Sequence, residues 1–304
     1  MVDPLSDMIR LLRPRTVFTK GISGAGSWAV RYSDYGNPSF SAVTEGRCRL
    51  LVDGQASIDL EAGDFVLMPA TPGFTMSGHA PATPSHVTPQ LAPAQADELR
   101  HGDPDGPAEV RMLGGYFLFD SPDADLLVTL LPALVHVRGV PRLTTLVRLL
   151  GEEARDERAG QELVMFRLIE ILLVEALRSL PGNQAAPGLL RGLADQRVAA
   201  AMRSMHGDPA LPWTIAGLAK EAGMSRSAFF DRFTRAVGLP PMEYLIAWRM
   251  AVAKRLLRRR DVPLDAVAEQ VGYGSASTFS TAFRRHVGES PGRYARGSTA
   301  APGA

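Results

Sequence analysis

One pattern is written twice in the final third of this 304-residue chain. Ile215, Leu218, Ala219 and Gly223 return 49 positions later as Leu264, Val267, Ala268 and Gly272. One residue is then inserted. Ser225, Ser227, Phe229, Phe233, Val237, Gly238, Pro241 and Tyr244 return 50 positions later as Ser275, Ser277, Phe279, Phe283, Val287, Gly288, Pro291 and Tyr294. A repeat of that length means one supersecondary unit used twice.

Each copy reads as helix, tight turn, helix. The short first helix ("TIAGLAKEA", "PLDAVAEQV") ends at a glycine, which accepts positive φ. The alanine before it keeps the two helices close, and a serine then caps the second helix. Phe229/Phe233 and Phe279/Phe283 lie one helical turn apart, so each pair puts an apolar face on the domain core. This is the helix-turn-helix plan, whose second helix enters the DNA major groove. Between the copies, Leu245, Trp248, Val252 and Leu256 mark one face of a connecting helix.

Charge agrees with that plan. The chain's net +1 hides an asymmetry: from Arg191 onward 17 Lys/Arg face 9 Asp/Glu, a net +8, and the preceding residues carry −7. A basic third beside an acidic remainder points to a polyanion as partner of that third alone.

The length suggests two domains, and 45% apolar with 21% charged residues is ordinary for a globular protein. The opening "MVDPLSDMIRLLRPR" has no long apolar run and no cleavage-site pattern, and no stretch approaches about eighteen apolar residues, so neither a signal peptide nor a membrane span is expected. The single cysteine, Cys48, can form no internal disulfide and fits a reducing cytoplasm. A cytoplasmic, nucleoid-associated location is therefore expected.

Residues 25–120 read mainly as strands and turns. "EGRCRLLVDGQASIDLEAGDFVLMP" alternates between strands, with turns at Asp53-Gly54 and Ala62-Gly63-Asp64, and "SWAVRY" and "GGYFLFD" read as further strands. "GISGAG" at 21–26 reads as a turn, because no helix start follows it. Residues 80–108 are rich in Pro and Ala and read as a long loop. Many short strands favour a small barrel or sandwich. After residue 122 the period turns helical: Leu143, Leu146, Val147 and Leu150, then Leu163, Phe166, Ile169, Leu173 and Leu177, broken at Ala159-Gly160. The second helix is apolar over a wide arc and reads as buried on two sides. "PGNQAAPG" at 181–188 reads as linker.

Two family resemblances follow from these residues. On "WTIAGLAKEAGMSRSAFFDRFTRAVG" and "VPLDAVAEQVGYGSASTFSTAFRRHVGESPGRY", residues 195–296 resemble the DNA-binding domain of the AraC/XylS transcription regulators. On "DPLSDMIRLLRPR", "EGRCRLLVDG", "LEAGDFVLMP" and "GGYFLFD", residues 5–180 resemble the cupin-type sensor domain attached to many such regulators. The resemblance implies an α+β chain: a small cupin-like β-barrel with appended helices over 1–182, a linker over 183–192, and an all-α domain of two helix-turn-helix units joined by a long helix over 193–304. It implies a sequence-specific transcription regulator, not an enzyme and without a cofactor, modulated by a small molecule in the barrel. Its implied partners are double-stranded promoter or operator DNA, that effector, a second copy through helices 142–180, and RNA polymerase if the protein activates.

By the family pattern, the outward face of the first recognition helix is Arg226, Ser227, Phe230, Asp231 and Thr234. On the second it is Ala276, Ser277, Ser280 and Thr281, with Ser275 at its start. Many relatives carry Arg or Gln at the places of Asp231 and Thr281, so ordinary guanine readout is missing here. Phe230 can pack on a thymine methyl. Asp231 can accept from a cytosine amino group or pair with Arg235 one turn on. The small outward residues of the second helix predict readout through phosphates and DNA shape. Arg226, Arg232, Arg235, Arg284 and Arg285 are phosphate candidates, and Arg258, Arg259 and Arg260 are either further ones or a solvated helix end.

For the barrel, Trp28, Phe40, Arg49, Met68 and Phe74 are candidate ligand-lining residues, with ordinary core as the competing reading. No metal is expected. His79, His86, His101, His136, His206 and His286 lie far apart, and Phe74 stands where a histidine often falls in the cupin family. Cys48 lies between Arg47 and Arg49, which would favour a redox-active thiolate, or it faces inward as a small apolar residue. A metal-dependent cupin enzyme fused to a DNA-binding module is the alternative function. A repair methyl acceptor needs reactive, metal-held cysteines that one Cys48 does not supply.

Overall fold

Ten strands and eleven helices are described in a computed structural model, over residues 3–12, 14–34, 36–87, 98–119, 128, 130–155, 158–180, 187–259 and 261–297. They fall into two units, Leu12–Ala124 with Leu131–Pro181, and Met1–Leu11 with Asp125–Leu130 and Gly182–Ala304.

The first unit is a mixed sheet curled into a half-barrel. Its strands are β1 (Pro14–Ala25), β2 (Ala29–Tyr32), β3 (Ser39–Val52), β4 (Ile58–Glu61), β5 (Phe65–Met68), β6 (Phe74–Ser77), β7 (Ser85–Val87), β8 (Glu98–Gly102), β9 (Val110–Phe119) and β10 (Val135–Val137). The main path runs β7-β2-β6-β3-β9-β1-β8; β4 and β5 pair with β3, and β10 with β5. The long β3 bends the sheet. Its first half pairs with β5 and β9 and its second with β4 and β6, with a register shift between Val43 and Glu45. Gly46 makes that bend possible: its φ is 72°, and a Cβ there would overlap the Glu109 carbonyl. After the bend Cys48, Leu50 and Val52 alternate inward with exposed Arg47, Arg49 and Leu51, and the inward set packs with Leu60, Val66, Met68, Phe74 and Met76.

Two readings of this region need correction. "GISGAG" is not a turn, since residues 21–25 continue β1 and only Gly26, at φ 64°, turns. The 80–108 stretch holds β7 and β8, which extend the sheet edges by parallel pairing with β2 and β1. Residues 88–97 of it lie outside the described residues, as do 181–186 of the linker.

Helix α1 (Pro4–Leu12) precedes the sheet, and α2 (Pro141–Arg155) and α3 (Gln161–Arg178) follow it and pack on β1 and each other. Gly160, at φ 85°, separates the pair. The buried stripe of α3 is Met165, Ile169, Leu172, Leu173, Ala176 and Leu177. Leu163, expected inside, is instead 62% exposed, beside exposed Val164 and Ile171. The wide apolar arc thus has one face in the core and one in solvent.

The second unit contains α4 (Leu189–Ala194), α5 (Gln196–Gly207), α6 (Ile215–Glu221), α7 (Arg226–Val237), α8 (Pro241–Arg258), α9 (Leu264–Gln270), α10 (Ala276–Val287) and α11 (Pro291–Gly297). Helix α4 starts inside the stretch read as linker. The repeat is visible in three dimensions. Phe229 and Phe233 pack with ring centroids 5.6 Å apart at 58°, and Phe279 and Phe283 at 5.5 Å and 57°. Each second phenylalanine meets a tyrosine edge-on, Phe233 with Tyr244 at 5.7 Å and Phe283 with Tyr294 at 5.6 Å. Both recognition helices end at a left-handed glycine, Gly238 and Gly288. Helix α8 links the frames, burying Leu245, Trp248, Val252 and Leu256 as its periodicity predicts. Its Arg249 donates to the Pro209 and Leu211 carbonyls at 2.8 and 2.7 Å and lies against the Gly272-Tyr273 turn of the second frame.

One polar group is buried here. His206, on α5, stacks on Trp248 with centroids 3.7 Å apart and shares a 2.7 Å hydrogen bond between Nε2 and the Tyr244 hydroxyl. Its Nδ1 lies 3.6 Å from Asp7 of α1, beyond hydrogen-bond reach.

Candidate nucleic-acid interface and barrel cavity

In each copy the turn between the paired helices is held by the same bonds. Met224 N–H donates to the Ala219 carbonyl at 2.9 Å, and Tyr273 N–H to that of Ala268 at 2.9 Å. Ser225 Oγ then accepts from Ala228 N–H at 3.4 Å, and Ser275 Oγ from Thr278 N–H at 3.2 Å. With the phenylalanines turned inward, the opposite sides of α7 and α10 face solvent.

On α7 that side shows Arg226, Ser227, Phe230, Asp231 and Arg235, all exposed. Phe230 is 41% exposed although it is a large apolar residue. Among the described residues the Asp231 carboxylate has no hydrogen-bond or ion-pair partner, so the alternative pair with Arg235 is not formed. Arg226 and Arg235 are also unpaired among the described residues.

Two expected contacts are placed differently. Arg232 is tied to Asp195, the N-cap of α5, at 2.5 Å. Asp195 also accepts from the N–H groups of Arg197 and Val198. Burial pushes its carboxyl up, but Arg232 and the two amides outweigh that and hold it below the usual carboxylate range. Thr234 is half-buried and its hydroxyl is buried without a partner among the described residues. It lies at the end of α7 against which α4 packs, with Gly188 N–H donating to the Ala236 carbonyl at 3.0 Å.

On α10, Ser277, Thr281, Arg284 and Arg285 are exposed and Ala276 and Ser280 partly so. Ser275 is spent on the cap, and Thr281 donates its hydroxyl back to the Ser277 carbonyl at 3.1 Å. Arg284 and Arg285 make no ion pair among the described residues. Of the arginine run at the end of α8, Arg258 donates to the Tyr294 hydroxyl at 3.1 Å, while Arg259 stays exposed 3.4 Å from exposed Asp261; Arg260 lies outside the described residues.

The half-barrel holds a cavity of about 60 Å³. At roughly 10–15 Å³ per water, that is room for a few waters or one small molecule. Phe40, Met68 and Phe74 line it, with Tyr32 stacked on Phe74 at 4.7 Å. Trp28 and Arg49 do not. Trp28 fills the core beside Gly24 and Gly78 and stacks on His101. Arg49 sits between inward-facing Cys48 and Leu50, so strand alternation turns it outward, where it pairs with Asp59 at 3.3 Å. The lining residues missed include Tyr116, Ser39, Ser41 and the Gly114-Gly115 pair, beside apolar residues such as Ile22, Leu50 and Leu99. A Cβ at Gly114 would press on Ile22, so the glycine pair of "GGYFLFD" was the available signal.

Among the described residues no His, Cys, Asp or Glu lines this cavity, so the walls described do not fit a metal ion. Cys48 is fully buried, and burial pushes its thiol up to about 12. At neutral pH it is a packed thiol, not a redox-active thiolate. Among the described residues no helix is long and apolar enough to cross a membrane.

Residues 3–181 match a protein family described as Cupin, and residues 218–297 one described as Helix-turn-helix domain. A protein of Streptomyces antibioticus described as an AraC-like transcription regulator is 37% identical over 96% of this chain and 98% of its own. One of Streptomyces lividans with the same description is 36% identical over 98% and 99%. The crystal structure of the DNA-binding domain of the transcriptional factor AdpA with a target DNA is 31% identical, covers 33% of this chain and 90% of its own, and has a TM-score of 0.31.

Proposed function

This chain belongs to the AraC-like transcription regulators, and we propose that it is a cytoplasmic, sequence-specific regulator whose DNA affinity responds to a small molecule in the half-barrel cavity. The observation that carries the DNA part is the doubled helix-turn-helix frame, with exposed arginines on both recognition helices in a segment of net +8. Helix α8 spans about 27 Å at ~1.5 Å per residue, a suitable strut for two helices serving successive major grooves ~34 Å apart. Arg226, Arg235, Arg284 and Arg285 would meet phosphates. Ser227, Phe230, Asp231, Ala276, Ser277, Ser280 and Thr281 would face the groove.

The cavity supports an uncharged, largely apolar effector, since its polar groups are hydroxyls and backbone. Such a ligand acts by binding one arrangement of the protein better than another. The exposed Leu163, Val164 and Ile171 on α3 support a homodimer through that helix. As an activator, the DNA-bound protein would also contact RNA polymerase.

Titrating the full chain onto duplex DNA across salt concentrations tests the DNA reading. Affinity should fall steeply with salt, and Arg284→Ala and Arg285→Ala should each reduce the log–log slope by about 1 per bound protomer. Salt-independent binding, or none at low salt, would sink it.

A further inference from the structure

The outer faces of the two recognition helices are chemically unequal. Where α7 has Phe230 and Asp231, α10 has Ser280 and Thr281, although the inward residues match pair for pair. The repeat frame therefore requires neither Phe230 nor Asp231.

Both are poor choices for a helix that only meets phosphates. Asp231 repels them, and among the described residues no cation neutralises it: Arg232, next in sequence, is held by Asp195, and Arg235 does not reach it. Phe230 leaves apolar ring surface in water. Each becomes favourable against one feature of the major groove. A carboxylate there needs an amino donor. Cytosine N4 supplies one, whereas adenine N6 lies beside the N7 acceptor, which repels the second carboxylate oxygen, and guanine and thymine edges present acceptors. An aromatic ring beside it gains from the thymine C5 methyl. Ser227, one turn earlier on the same face, is small and leaves the short Asp231 side chain room to approach. Helix α10 lacks such discriminating groups, since Thr281 spends its hydroxyl on Ser277.

We propose that Asp231 and Phe230 set the operator preference of the first recognition helix, Asp231 selecting a C·G pair through cytosine N4 and Phe230 an adjacent T·A pair through the thymine methyl. This rests on the DNA-binding reading above. It makes the first half of each protomer's site the sequence-discriminating half, and leaves the second half to phosphates and shape.

Selection of binding sites from a randomised duplex pool, using the full-length protein, tests it. The wild type should enrich neighbouring C·G and T·A pairs. Asp231→Asn should lose the cytosine and move toward adenine, which Asn bonds bidentately; the change at that position should be on the order of 10- to 100-fold in affinity. Phe230→Ala should keep the cytosine and lose the thymine. Uracil in place of that thymine removes only the methyl group, so it should weaken the wild type and leave Phe230→Ala unaffected. Both side chains are exposed, so unchanged melting temperatures should confirm folding. Identical selected sites for all three proteins would overturn the inference while leaving DNA binding intact. If the wild type retains no DNA at low salt, the DNA reading falls and this inference with it.

Discussion

His206 is a buried titratable side chain in the helical unit. Its ring is enclosed by Trp248, Tyr244 and α1, and burial holds it below its ordinary value of 6.5, with Asp7 and Asp3 pulling the other way. The folded state thus binds this proton more weakly than the unfolded chain does. The stability linked to His206 is complete above the unfolded value and is lost as pH falls through the depressed folded one. His206→Gln keeps a partner for the Tyr244 hydroxyl but does not titrate. Thermal melts between about pH 5 and pH 8 should show a shallower acid-side loss in His206→Gln than in the wild type, with the curves parallel above about 6.5. Equal slopes would mean that His206 carries no such linkage. His101, also depressed by burial, remains in both proteins and does not confound the difference. None of this was legible in sequence. His206 sits among helical residues with no local mark, and its neighbours come from the start of the chain and from α8.

The helix-turn-helix frames were legible because their logic is local. Glycine, serine and phenylalanine at fixed spacing each act within a few residues, and the two copies confirm each other. The surroundings of Arg232 and Thr234 were not legible, for the opposite reason. Their surroundings are set by Asp195 and α4, which lie outside the repeat and in a stretch whose composition resembles linker. Arg49 was misread through parity, although Cys48, Leu50 and Val52 already marked the inward register of β3. The frames also predict energetics. Phe229 and Phe279 are fully buried at equivalent places, so Phe229→Ala and Phe279→Ala should each cost about 3–5 kcal/mol in urea unfolding. Ser225→Ala, which removes only a cap, should cost about 1 kcal/mol. A phenylalanine substitution as mild as the cap loss would mean that the frame is not the core.

For the molecule as a whole, the exposed side of α3 matters most. A curled sheet buries one face of α3, yet Leu163 and Ile171 are left in water. Under the homodimer proposal, Leu163→Glu with Ile171→Glu should halve the mass seen by light scattering. It should also weaken binding to a two-half-site duplex by at least ~100-fold, while binding to a single half-site stays the same, because only the linkage of the two sites is lost. An unchanged mass would move the interface elsewhere. The half-barrel was legible from its turns. Its cavity was legible only in part: Phe40, Met68 and Phe74 were, whereas Gly114, Gly115 and Tyr116 reach it because β9 pairs with the start of β3, a register that no local alternation announces.

The doubled phenylalanine pairs have a consequence for how such a protein can be rewritten. The side chains that keep each recognition helix in place point one way and those that would meet the bases point the other, so the two sets form separate alphabets on one helix. Retargeting then becomes an edit of outward letters alone. A library varied at Ser227, Phe230, Asp231, Ser280 and Thr281 would search operators without spending the fold.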